Sequence, residues 1–227
     1  MATTASSART PVASTPANTT ESVPFIVRME KYRKPISYGL GVLAFLVVGY
    51  WLYSETGRRK QTAAADALDG ARATFEAGNL PSASTEFQAV IQRFGGTDAA
   101  YQAQLGLNAV RLASGQAQLA ADELEKFARS NPPAYFQAGA WLLAGTALEN
   151  AGKFDSAAAA YTKASEVAPE DYRKVEALLG ASRAYGLAGK QKERLDALRQ
   201  IVSKFPEDTP GVAEAKVRLA EATGGTG

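Results

Sequence analysis

Four glycines, Gly78, Gly115, Gly152 and Gly189, stand 37 residues apart along the chain, and no other feature constrains the fold as much. Each separates two Ala- and Leu-rich stretches of helical length. Pro132, Pro169 and Pro206 close the second stretch at a similar period, with Gly95 in the corresponding place of the first unit. A repeat of this length, made of two helices and two turns, signals an α-solenoid, in which a hairpin buries its apolar face only against its neighbours. Glycine supplies the left-handed backbone that ends the first helix of each hairpin, and proline stops the second. The expected fold is therefore all-α, with about four hairpins over units 64–97, 101–134, 138–171 and 175–208. Thr209 and Pro210 read as an N-cap and a first helical residue. They open a last helix, Gly211 to Ala222, that caps the exposed end of the stack. The ending 223–227 reads as a flexible tail.

The third unit carries the most specific pattern. Within "WLLAGTALENAGKFDSAAAAY" stand Trp141, Ala144-Gly145, Gly152, Ala157 and Tyr161, followed by Ala164 and Pro169, with no reactive side chain among the pattern positions. These offsets resemble the tetratricopeptide repeat, with Leu148 in place of its usual Tyr. Small residues at 145 and 157 let two helices approach closely, while Trp141 and Tyr161 fill the space around them. The second unit keeps Leu107, Gly115, Ala120 and Pro132, with Arg111 where Tyr is expected, and the first keeps Gly78, Ala83 and Phe87. The fourth keeps Tyr185, Gly189 and Pro206 but puts Arg194 at a small-residue position, so its helix pair is expected to splay or shift register. The tetratricopeptide-like domain spans 64–222.

Ahead of the repeats, residues 1–35 form a Thr/Ser/Pro-rich tail, too poor in large apolar groups to fold, that ends in the basic cluster Arg28, Lys31, Arg33 and Lys34. The segment 36–53, "ISYGLGVLAFLVVGYWLY", then runs from Ile36 to Tyr53 without a charge. At about 1.5 Å per residue it is about 27 Å long, enough for one transmembrane helix. Tyr50, Trp51 and Tyr53 sit where an aromatic belt meets the headgroups, and Arg58, Arg59 and Lys60 follow. Bulky Trp51-Leu52-Tyr53 does not suit signal-peptide cleavage, so the span reads as a retained anchor. Four basic residues before it against three after it favour a cytoplasmic N-terminus by a small margin. Residues 54–63 read as a helical junction, with Gly57 as at most a hinge.

Composition narrows the function. Cysteine and histidine are both absent, which removes disulfides, thiolate nucleophiles, Cys/His metal sites and every Ser-His or Cys-His pair. Eight of the 25 basic residues and three of the 23 acids precede position 61, leaving 17 against 20 beyond it. That balance carries no basic face for nucleic acid. The expectation is a non-enzymatic protein with no cofactor, no metal and no small-molecule substrate, whose partners are proteins.

The whole layout, a polar N-terminus and one span ending in Tyr-Trp that runs through "YWLYSETGRRKQTAAADALDGARATFEAGN" into repeats, resembles the YfgM-type ancillary subunits of the Sec translocon. The resemblance implies a bacterial inner-membrane protein with periplasmic repeats that links the translocon to periplasmic chaperones or clients. An alternative keeps the architecture and makes the chain a structural or assembly subunit of another inner-membrane complex, respiratory, photosynthetic or transport. Leu68, Leu105, Leu142 and Leu179 share the 37-residue spacing at the fifth position of each unit. In the resembled tetratricopeptide family this position faces a concave groove, together with the second, ninth and twelfth, which here include Gln102, Thr146, Glu149, Glu176 and Arg183. The leucines equally suit packing between neighbouring first helices, and both readings stay open.

Overall fold

The structure is a computed structural model that describes residues 33–224, and the side chains of residues 43–51, 54, 55 and 57–224. Most of the expected polar tail and the last three residues lie outside this range, as do the side chains of Ile36 and Tyr53. The chain divides into two compact units, one up to Ser54 and one from Glu55 onward. Nine helices and no strand are present among the described residues. The first, α1 (Arg33–Glu76), is continuous through Gly57. Among the described residues no helix is long and apolar enough to cross a membrane; part of the segment 36–53 lies outside the described side chains.

In the second unit the end of α1 pairs with α2 (Leu80–Arg93). Three further hairpins follow: α3 (Asp98–Ala113) with α4 (Ala117–Arg129), α5 (Ala134–Asn150) with α6 (Phe154–Val167), and α7 (Asp171–Leu187) with α8 (Gln191–Lys204). A last helix, α9 (Val212–Thr223), packs on α8. First helices also touch across repeats, α3 with α5 and α5 with α7. This is the expected α-solenoid.

The four periodic glycines act as the spacing requires. All have positive φ, from 71° to 78°. At the end of α5 the Gly152 N–H donates to the Glu149 carbonyl at 2.9 Å and the Lys153 N–H donates to the Leu148 carbonyl at 2.8 Å. That pair of bonds closes the helix and satisfies carbonyls the helix itself leaves open. At the second turns the solutions differ. Asn131 takes a left-handed backbone after α4, and in the first unit Gly96, rather than Gly95, does so.

Packing rests on rings set against glycine. A Cβ placed on Gly145 would lie 2.6 Å from the Tyr161 ring, and one on Gly180 2.9 Å from the same ring. Tyr161 is 1% exposed and is held between the first helices of two successive hairpins. Phe87 makes the same contact with Gly106, 2.6 Å from a Cβ there. Trp141, 5% exposed, is covered by the Lys163 ammonium, 4.4 Å from its ring centre. The fourth hairpin does not splay around Arg194. Gly186 leaves room for the Arg194 side chain, whose Cδ would lie 3.3 Å from a Cβ there, and Leu198 and Ile201 remain fully buried.

The capping helix starts differently from the sequence reading. Thr209 and Pro210 form part of a turn, and the N-cap is Gly211 at φ 91°. Two constraints meet at this residue. Its backbone is left-handed, and a Cβ would lie 2.7 Å from Val175 Cγ1. The turn seats Val212 and Ala215 in a core with Val175, Leu178, Leu198 and Ile201, so α9 seals the apolar end of the fourth hairpin. Gly152, by contrast, is left-handed but has open space around it. Gly152→Ala is therefore expected to lose about 1–2 kcal/mol of stability, the cost of the backbone alone. Gly211→Ala is expected to lose clearly more, because Val175 must also move. Urea unfolding of the two variants at one temperature checks the order.

Candidate protein-binding site

The exposed face of the first helices is set by helical geometry. Residues at positions two, six and nine of a unit fall four and three apart, hence on one face. On α3 these are Gln102, Gly106 and Ala109, and on α5 Gly139, Leu143 and Thr146. Gln102, Gly106, Ala109, Gly139 and Leu143 line one hollow of about 410 Å³, floored by Phe75, Phe87 and Phe136. Arg72, at position nine of the first unit, and Arg173 on α7 line the same hollow. Glycine at 106 and 139 removes the side chains that would otherwise fill it, and at Gly106 the Phe87 ring already occupies the space a Cβ needs.

Position five is rotated away from this face. Leu68 is 3% exposed and Leu179 9%, each inside a core cluster. Leu105 reaches the next first helix, its Cδ1 3.3 Å from where a Gly139 Cβ would stand, although it also borders the hollow. Leu142 lines a small void with Glu176 and Ala177 of α7, and Leu179 lies against Gly211. Leu105, Leu142 and Leu179 therefore each link a first helix to the element that follows, while Leu68 lies in the core of the first hairpin. They do not form a continuous exposed ladder, because one helical step from position six to position five turns a side chain by about 100°.

The polar positions fall into two further groups. Glu176, Arg183 and Leu179 line a second hollow of about 360 Å³ between α7 and α9, with Glu214 and Arg218 opposite. Thr146, Glu149 and Arg183 meet around the Tyr161 hydroxyl. Arg183 donates from Nε and Nη2 to the two Glu149 carboxylate oxygens at 3.1 and 2.9 Å, and Nη2 also donates to the Tyr161 hydroxyl at 3.1 Å. That hydroxyl donates to Glu149 Oε2 at 3.1 Å and lies 3.1 Å from Thr146 Oγ1. The network bridges α5, α6 and α7, and it occupies groups that the sequence reading had assigned to a ligand. Gln102 is likewise engaged, accepting a hydrogen bond from Arg72 Nη2.

A set of aromatic groups was not singled out from the sequence. The Arg173 guanidinium lies 4.0 Å from the Tyr135 ring centre and 5.7 Å from that of Tyr172, and its Nε donates to the Tyr172 hydroxyl at 3.1 Å. Tyr135 meets Phe136 edge-on at 5.3 Å, and Phe136 stacks on Tyr101 at 5.2 Å. Tyr135 and Tyr172 stand 37 residues apart and are 45% and 44% exposed, so the repeat register marked them. Exposed aromatic rings beside a hollow are what a peptide-binding surface uses. No group of three or more acidic side chains placed to hold a metal occurs among the described residues.

Burial of the Tyr161 ring, partly offset by the Thr146 hydrogen bond, raises its phenol above the ordinary value of about 10. The unfolded chain then releases this proton at lower pH than the native one. Stability from the neutral phenol is fully present below about pH 10 and is lost as pH rises through the native value. Tyr161→Phe should be less stable than the natural chain at neutral pH, and the gap between them should narrow in denaturant titrations above pH 10.

The chain matches a family model described as a tetratricopeptide repeat-like domain, over residues 29–140 and again over 67–180. A search of curated proteins finds no match. The two family matches overlap and together take in residues 29–180, both of the glycine-and-ring seams and the whole of the first hollow. The chain belongs to the tetratricopeptide repeat-like family, whose fold serves as a scaffold for protein–protein interaction.

Proposed function

We propose that the chain is a non-enzymatic scaffold, anchored in a bacterial inner membrane by the segment 36–53, whose repeats face the periplasm and dock polypeptide segments. The observation that carries this reading is the open hollow across α1, α3, α5 and α7, which is apolar at its floor and edged by the exposed Tyr135 ring. Its size suits a few side chains of a bound segment rather than a whole folded partner. Membrane anchoring is supported by the uncharged stretch and by Leu43, Phe45, Leu46, Val47, Val48 and Trp51, each more than half exposed. Such a run of bare apolar side chains suits lipid contact better than water. The family match begins at residue 29, ahead of this segment, which supports reading the segment and the repeats as parts of one unit. A link between the Sec translocon and periplasmic chaperones or clients follows from the resemblance of residues 50–79 to the YfgM-type subunits.

Docking is tested by a photo-crosslinking side chain at Tyr135, with Gly139→Phe to fill the hollow. Crosslinks to polypeptide partners are expected, and Gly139→Phe should abolish them without loss of helicity. Leu142→Glu is the contrast: it should destabilise the domain, as expected for a residue between helices. Crosslinks that persist in Gly139→Phe would place docking elsewhere. Copurification of translocon subunits in mild detergent would support the named partner, whereas another inner-membrane complex would replace it.

Topology has its own test. A phosphatase fused after Gly227 should be active and a cytoplasm-only fluorescent reporter dark. The opposite pattern would put the repeats in the cytoplasm.

A further inference from the structure

The two hollows differ in charge. In the one between α7 and α9, Glu176 and Glu214 face Arg183 and Arg218, and each arginine already pairs with an acid, Arg183 with Glu149 and Arg218 with Glu214. It is electrically balanced. The hollow across α1, α3, α5 and α7 is lined by two arginines and no acid. The carboxylates nearest to those arginines lie outside its lining: Asp69 Oδ1 is 3.5 Å from Arg72 Nη1, and Glu170 Oε2 is 3.6 Å from Arg173 Nε. Both distances are longer than a hydrogen bond, and the Asp69 side chain is 73% exposed, so its pair is weak.

The donors are placed for a ligand. Arg173 spends Nε on the Tyr172 hydroxyl, and its face lies on Tyr135, which fixes the plane of the guanidinium. Among the described residues its two terminal nitrogens make no hydrogen bond. Arg72 is half-exposed, and its partner Gln102 offers a neutral amide that a carboxylate can displace. Between the two arginines lie the Gly106 and Gly139 gap and the Phe87 and Phe136 rings.

Resting on the docking reading above, we propose that this hollow selects a polypeptide segment with an apolar side chain flanked by acidic residues. The apolar group enters over Phe87 and Phe136, and the flanking carboxylates take the open donors of Arg72 and Arg173. A basic or neutral segment could enter the same space but would leave Arg72 with only the exposed Asp69 and Arg173 with only Glu170, at 3.5 and 3.6 Å.

The test uses the full-length chain in mild detergent and two fluorescein-labelled peptides, each with a Phe-Leu centre. One has two aspartates on either side and the other two lysines. The acidic peptide should bind at least about tenfold more tightly, with affinity falling as salt rises. Arg72→Gln with Arg173→Gln should erase that preference, whereas Arg173→Lys, which keeps the charge on the Tyr135 face, should retain most of it. Gly139→Phe should block both peptides. If the peptides bind equally, or the arginine variants leave the preference intact, while Gly139→Phe still blocks binding, acidic selection is overturned and docking stands. If neither peptide binds and the Tyr135 crosslinker captures nothing, both readings fall.

Discussion

The stack depends on one contact, repeated: an aromatic ring of a second helix seated on glycine of a first helix. Tyr161 touches both Gly145 and Gly180, and Phe87 touches Gly106, at distances a Cβ could not tolerate. A ring in this place holds two helices of one hairpin and the first helix of the next with a single side chain. Because a buried aromatic contributes on the order of several kcal/mol, removing it costs far more than losing any surface ion pair here. The exposed pairs, such as Lys190 with Asp155, decorate the stack without holding it.

The same contact shapes the face open to partners. Glycine at 106 is needed for the close approach of Phe87, and the absence of side chains at 106 and 139 leaves open the hollow that the same ring lines. The next unit carries Leu143 at the position of Gly106, and its side chain lines the hollow. Where Gly180 recurs, a second hollow opens beneath α9. Docking space and packing are therefore two results of one pattern of small residues.

Much of the fold was legible in the sequence, because the 37-residue glycines, the ring positions and the prolines each act locally. The turn at Gly211 was harder to read. Thr209-Pro210 carries a sound helix-start signal, but the chain must first turn left-handed to bring Val212 against Val175 and Leu198, a tertiary demand with no local mark beyond the glycine. Arg194 misled for a related reason. Its size suggested a clash, and Gly186 on the facing helix had made room for it.

The site was legible only in register. The spacing located every first helix and listed Gln102 and Glu176 on the open face, yet it put the leucine ladder there as well. Amphipathic helices in a solenoid carry two apolar stripes, one toward the partner helix and one toward the next repeat, and a periodic leucine fits either. Leu105, Leu142 and Leu179 each reach the element that follows, and Leu105 and Leu179 also border the two hollows, so a single leucine serves both stripes. Polar residues were ambiguous in the same way. Glu149 and Arg183 share the groove face with ligand-type spacing, but the Tyr161 hydroxyl below them needed partners, and a buried phenol is costly to leave unpaired. The pair is therefore committed to closing the third repeat on the fourth. Arg173 lies on the Tyr135 ring, gives its Nε to Tyr172 and has Glu170 at 3.6 Å, so its two terminal nitrogens are the donors left for the proposed ligand.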